Sequence, residues 1–251
     1  MLKQIITKSI ILVVLLLVSI LAVINLKTLL FVNMYLLMAV FIGLGVLAGI
    51  TTAALKRITH SRNPAFPEKR HTLASFIQHW GTSVGILLLF ITGLFMKINP
   101  GIISSNIHFT GVLITLLFGF YFLIDFFTSQ KYIELLPDLK DIFEGTIKKY
   151  ILRTPWKDQG KYQASQKSAF LAFIVLGSEV LISGLIKTVA LLTSIPDHLL
   201  SAVTLLHDVS GLLLAILTVV HIVLVFIPRA NLQLLASWFT GVDVLKSSKQ
   251  D

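Results

Sequence analysis

The chain alternates long apolar runs with short polar breaks, and each long run is close to the length of helix that crosses a bilayer. Runs of about 20 residues with few charges predict six spanning helices, near residues 8–26, 29–55, 72–96, 102–127, 168–193 and 199–227. The first run follows Lys3 and Lys8 as a signal peptide would. No small-x-small cleavage site comes after it and a second run starts almost at once, so a retained hairpin turning near Asn25–Lys27 is expected. Gly43, Gly45 and Gly49 on the second run permit close helix packing. The polar stretch from Lys56 to Arg70, with Pro64 and Pro67, separates these spans from the rest. The expected organisation is an N-terminal two-helix transmembrane hairpin over 1–55, a basic loop over 56–71 and a four-helix bundle over 72–251. Between the fourth and fifth spans, Leu139, Ile142, Phe143, Ile147, Tyr150 and Ile151 recur at helical spacing opposite Asp138, Lys140, Asp141, Glu144 and Lys148. That pattern predicts an amphipathic helix at headgroup level within 137–152. Pro228 disfavours continuation of the last span through Arg229, and the tail beyond it suggests no role.

Composition narrows the class. With 55% hydrophobic and 13% charged residues, the chain reads as an all-α integral membrane protein. The absence of cysteine excludes disulfides, thiolate metal sites, iron–sulfur ligation and covalent haem attachment. The net charge of +9 is explained by topology rather than by nucleic acid. Six spans put Lys3, Lys8, Lys56, Arg57, Arg62, Lys69, Arg70, the basic residues from Lys131 to Lys167, Arg229, Lys246 and Lys249 on one side, leaving only Lys27, Lys97 and Lys187 on the other. The positive-inside rule then places both termini in the cytoplasm.

Histidine supplies the candidate chemistry. His207 and His221 lie fourteen residues apart on the last run, which on a helix is about 40° in azimuth and about 21 Å along the axis. Histidine is costly in hydrocarbon and, where retained, marks ligation or proton handling. Alternating span direction puts His79 and His221 in the inner half and His108 and His207 in the outer half. This predicts two axial pairs, His108 with His207 and His79 with His221, each clamping the iron of one noncovalent haem b in the four-helix bundle. The second nitrogen of each ring would bond a backbone carbonyl. His198 is half a turn out of phase with His207, His71 is about 80° from His79, and His60 lies in the basic loop, so these three are expected to be solvated or interfacial. A flat macrocycle needs a helix face without side chains. Gly93, fourteen residues after His79, and Gly211, one turn after His207, offer it, although helix packing explains the same glycines.

Between about His71 and Val244 the chain resembles the dihaem cytochrome b, or gamma, subunit of membrane-bound formate dehydrogenases, and more broadly the cytochrome b of nickel–iron hydrogenases and thiosulfate reductases. The residues that carry the resemblance are His79-Trp80, Thr92-Gly93, His108 near Gly111, the run Gly160-Lys161-Tyr162-Gln163-Ala164-Ser165-Gln166-Lys167, and His207-Asp208-Val209-Ser210-Gly211 followed by His221-Ile222. The resemblance implies two haems b, an iron–sulfur electron-transfer subunit and a catalytic dehydrogenase or reductase subunit as partners, and menaquinone or ubiquinone reduced near the cytoplasmic face. Substrate catalysis would belong to the partner. The quinone pocket it implies maps to His221, Gln163, Ser165 and Gln166. The family's usual residues at 163 and 165 are asparagine and glycine, and its four-span members have no counterpart to the first 55 residues. Inward electron flow opposes a negative-inside membrane by about 2.3 kcal/mol per charge per 100 mV, so a low-potential donor is expected.

Three carboxylates lie in or near the spans. Asp125, at the inner end of the fourth span, is a candidate for proton delivery to reduced quinone or a helix-end residue reaching headgroups. Glu179 is expected to bond a neighbouring helix, and Asp208 to sit at the outer rim. Lys97, Arg70, Lys161, Lys167 and Arg229 either meet haem propionates or anchor helix ends by snorkelling. Two rival readings stand beside the electron carrier. One is a haem-free transporter or assembly protein, which lacks support from any inverted repeat or paired broken helices. The other is a transmembrane reductase resembling cytochrome b561, a family that shares paired histidines but lacks the Gly-Lys-Tyr run.

Overall fold

The computed structural model describes residues 4–15, 17, 34–62, 71–98, 102–154, 161–190, 193–226 and 229–240, and every apolar run within them is helical. In hydrocarbon the backbone satisfies its N–H and C=O groups only in helices or closed barrels. Helix α1 (Gln4–Leu15) is the described part of the first expected span; the remainder and the turn near Asn25 lie outside the described residues. Among the described residues, five helices are long and apolar enough to cross a membrane: α2 (Met34–Arg62), α3 (Leu73–Ile98), α4 (Ile102–Thr128), and, further along the chain, Ala164–Val189 and Asp197–Phe226. There is no strand among the described residues. The protein is an all-α, multi-pass membrane protein. Its helices divide into two compact units, Met1–Lys131 with Leu232–Asp251, and Tyr132–Asn231.

In the first unit α4 is packed by α2 on one side and α3 on the other, through small residues. A Cβ at Gly45 would collide with the Leu117 carbonyl oxygen, and one at Gly49 would stand 2.5 Å from Ile124 Cβ; Gly43 meets nothing. On α3, a Cβ at Gly81 would fall 2.5 Å from the Phe118 ring and one at Gly85 would strike Thr115. Close approach of this kind replaces hydrophobic driving force in a bilayer. Helix α2 runs past the expected break at Lys56 to Arg62, and the Lys56 side chain is held by Asp125 of α4.

The second unit begins with α5 (Lys131–Leu135), most of which belongs to it, and α6 (Leu139–Ile142), which Asp138 caps by accepting from Asp141 N–H. The chain then widens into a π-helix over Phe143–Lys148, with Thr146 Oγ1 bonded to Asp141 O, and ends as α7 (Lys149–Ile151). The apolar stripe of this segment is exposed, with Leu139 at 73% and Ile151 at 72%, as suits a helix whose apolar face meets lipid. Lys167 pairs with Asp141 at 2.9 Å and Ser168 with Thr146 at 2.9 Å, which fasten it to α8 (Ala164–Val189). Helix α8 starts four residues before the expected 168, because the Gln163 N–H donates to Gln166 Oε1 (3.0 Å) and draws the polar turn 164–167 into the helix. It packs on α9 (Asp197–Phe226). The last helix, α10 (Arg229–Thr240), rejoins the first unit from Leu232 onward.

Candidate functional site

In the second unit, the His207 ring is gripped by one short stretch of α8. Its Nδ1 lies 3.1 Å from Val180 O and 3.1 Å from Ser183 Oγ. A carbonyl oxygen only accepts, so Nδ1 carries the proton and donates. Ser183 directs its own proton to Glu179 O (2.5 Å), the usual back-bond of a helical hydroxyl, and so presents a lone pair to the imidazole. Gly184 makes room: a Cβ there would stand 3.2 Å from His207 Cε1.

The first unit repeats this around His108. Thr92 Oγ1 donates to Leu88 O (2.5 Å), which leaves its oxygen to accept from His108 Nδ1–H at 3.0 Å. The position of a Cβ on Gly93 is 3.8 Å from His108 Cε1. Thr92 and Ser183 are both buried, and each stands six residues before the last residue of its helix, Ile98 or Val189. Both rings are therefore Nδ1–H tautomers whose Nε2 keeps its lone pair, the form that ligates a metal.

His79 is held by aromatic rings. It stacks on Trp238 of α10 at 4.6 Å and 18°, and meets Trp80 edge-on at 5.4 Å. On the other face of Trp238 lies His71, at 3.7 Å and 12°. The expectation of a solvated or interfacial His71 is thereby corrected: the stacked indole covers it, leaving 5% exposed. His221 meets Phe173 edge-on at 5.8 Å. His198 is exposed as expected, and the side chain of His60 lies outside the described residues.

The family model described as prokaryotic cytochrome b561 matches residues 70–241. The chain belongs to that family. The match covers most of the chain and includes His79, His108, His207, His221 and the run 160–167; it begins after α2. No curated protein and no solved structure matches the chain. Membership in the cytochrome b561 family makes it a membrane electron-transfer protein that binds haem b. Its residues fit such a group: the chain has no cysteine, and His108 and His207 have the tautomer that axial ligation needs. The helix face at Gly211 is clear, with no atom within 4 Å of where a Cβ would stand. Beside His79, the buried Trp80 Nε1 has no acceptor among the described residues, and a carboxylate such as a haem propionate would satisfy it.

The remaining predicted residues fall into two places. Gln163, Ser165 and Gln166 come together at the start of α8, where Gln163 and Gln166 cap the helix and Ser165 Oγ accepts from Tyr150 Oη at 3.3 Å. Beside them, Ile142, Ser168, Leu171, Ala172, Val175 and Leu176 line an apolar cleft of about 350 Å³. His221 is level with Phe173, seven residues beyond Gln166 and so about 10 Å deeper along α8, and is not brought against the three polar residues. Asp125 does not reach headgroups: it is 0% exposed, and it accepts from Lys56 (2.6 Å), Lys131 (2.6 Å), Gln78 (3.0 Å) and Ser129 (2.7 Å). A carboxylate so engaged anchors helices. Glu179 bonds a neighbouring helix as expected, through Ser210 Oγ on α9 at 2.7 Å. The sequence reading did not single out Ser183, Gly184, Gln78, Lys131 or Trp238. Ile182-Ser183-Gly184-Leu185 repeats Ile91-Thr92-Gly93-Leu94, and that echo is the signal that could have found the first two.

Proposed function

We propose that the chain is the membrane-anchoring dihaem cytochrome b subunit of a respiratory oxidoreductase complex. It carries electrons between an iron–sulfur or catalytic partner outside the cytoplasm and the quinone pool near the cytoplasmic face, with both termini inside. His108 with His207, and His79 with His221, hold two haems b, one toward each face. Bound haem supplies a one-electron couple. The observation that carries the reading is that His108 and His207, on separate helical hairpins, are fixed in the same ligating tautomer by the same kind of hydroxyl. Gln163, Ser165 and Gln166 are polar groups for a quinone head, and the cleft beside them suits its isoprenoid tail.

Purified protein should give two haems b per chain in a pyridine haemochrome assay and a reduced-minus-oxidised spectrum. One haem per chain would end the paired arrangement, and none would return the transporter reading. Gln163→Ala should weaken binding of a quinone-site inhibitor while His108→Ala spares it, and equal loss in both would count against the quinone placement. The family description is also compatible with a stand-alone transmembrane reductase. A co-purifying iron–sulfur subunit decides for the first reading, and its absence from gently solubilised membranes for the second.

A further inference from the structure

We infer that Thr92 and Ser183 are positioning residues that set the electron-donor strength of the two outer imidazoles, and with it the redox poise of the outer haem. The inference rests on the proposed ligation by His108 and His207. Each hydroxyl is buried, each spends its proton on a carbonyl one turn back in its own helix, and each is left as an acceptor aimed at Nδ1–H. An acceptor on Nδ1–H pushes electron density toward Nε2. That makes the nitrogen a stronger donor to iron and favours the ferric state. Burial of both hydroxyls keeps bulk solvent from competing for such a bond. The following glycine belongs to the same device. At 184 a Cβ would stand 3.2 Å from His207 Cε1 and crowd the imidazole.

The two sites are not equivalent. His207 Nδ1–H is shared between Ser183 and the Val180 carbonyl, and His108 Nδ1–H donates to Thr92. The measurement is spectroelectrochemical titration of the haem b bands in detergent-purified protein, with low-temperature electron paramagnetic resonance of the ferric form. Thr92→Val, which keeps the volume, should shift the ferric-to-ferrous ratio of one haem toward ferrous about tenfold at fixed potential, a rise of about 59 mV for one electron. Thr92→Ser should restore the wild-type value, and Ser183→Ala, which leaves the Val180 carbonyl as an acceptor for His207, should move the same haem in the same direction. His108→Ala identifies that haem by removing it.

Unchanged potentials and resonance in Thr92→Val and Ser183→Ala, with both haems present, would overturn the inference and leave the ligation standing. Undiminished haem in His108→Ala would remove the ligation itself. If Thr92→Val fails to accumulate, Ser183→Ala and its partner Ser183→Thr carry the same comparison: a rise in the former and none in the latter supports the inference, and equal potentials overturn it.

Discussion

Lys56 Nζ of α2 stands 2.6 Å from Asp125 Oδ1 of α4, while Lys131 Nζ stands 2.6 Å from Oδ2 of the same carboxylate. The helix that precedes the family match is thus tied to the matched region by this ion pair, and Gln78, next to His79, shares the same acceptor at 3.0 Å. Removing one member of a buried pair costs about 3–5 kcal/mol because the partners are left desolvated. Asp125→Ala should therefore lower the thermal stability of the detergent-solubilised protein sharply. Lys56→Met should cost less, since Lys56 is one-third exposed and Lys131 still neutralises the carboxylate. Equal losses in the two variants would show that Lys131 does not share the load.

The α2–α4 contact depends on two glycines and not on a third. Gly45→Ala places a methyl on the Leu117 carbonyl, and Gly49→Ala places one 2.5 Å from Ile124 Cβ, whereas Gly43→Ala enters open space. Overpacking of this kind costs about 1–3 kcal/mol. Thermal unfolding should show losses for the first two substitutions and none for Gly43→Ala, where alanine's better helix propensity acts alone. A stable Gly45→Ala would mean that α2 is free to move off α4.

Ser210 is 2% exposed and donates to Glu179 Oε2 at 2.7 Å. Glu179→Gln keeps an acceptor in place and should be mild. Glu179→Leu leaves the serine hydroxyl in the bundle without that acceptor, at a cost of about 1–3 kcal/mol. Retention of haem absorbance on heating reads the difference. Equal retention in the two variants would show that the α8–α9 bond is incidental.

Much of the fold was legible because spanning helices are announced by long apolar runs, a signal that needs no knowledge of neighbours. The four histidines stand out in the sequence because each lies within one of those apolar helices. Their partners do not. Ser183 looks like any small residue until α9 brings His207 against it, 24 residues on in sequence. Asp125 reads in the sequence as a proton carrier or a headgroup contact because its partner Lys56 is 69 residues away, in a stretch whose polar pattern suggests a loop. His71 read as solvated because nothing near it in sequence announces Trp238. Hydropathy fixes which segments cross; which polar atoms meet is decided by register between helices, and a single chain's pattern does not encode that locally.

Trp238 is the clearest case of a residue whose work lies entirely in tertiary contact. Its ring lies between His71 at 3.7 Å and His79 at 4.6 Å, and Lys8 Nζ donates to its backbone carbonyl at 2.5 Å, so α1, the entry to α3 and α10 meet at one residue. Each stacked pair is worth about 0.5–1.5 kcal/mol beyond its area. Trp238→Ala should release His79 from one fixed ring plane. The expected outcome is a shift in the potential and resonance of the haem that His79→Ala removes, with the His108 haem unchanged; Trp238→Phe, which keeps a stacking face, should stay close to wild type. A uniform loss of both haems in Trp238→Ala would instead mean that α10 holds the whole first unit together, and a wild-type spectrum would mean that the sandwich does not orient His79.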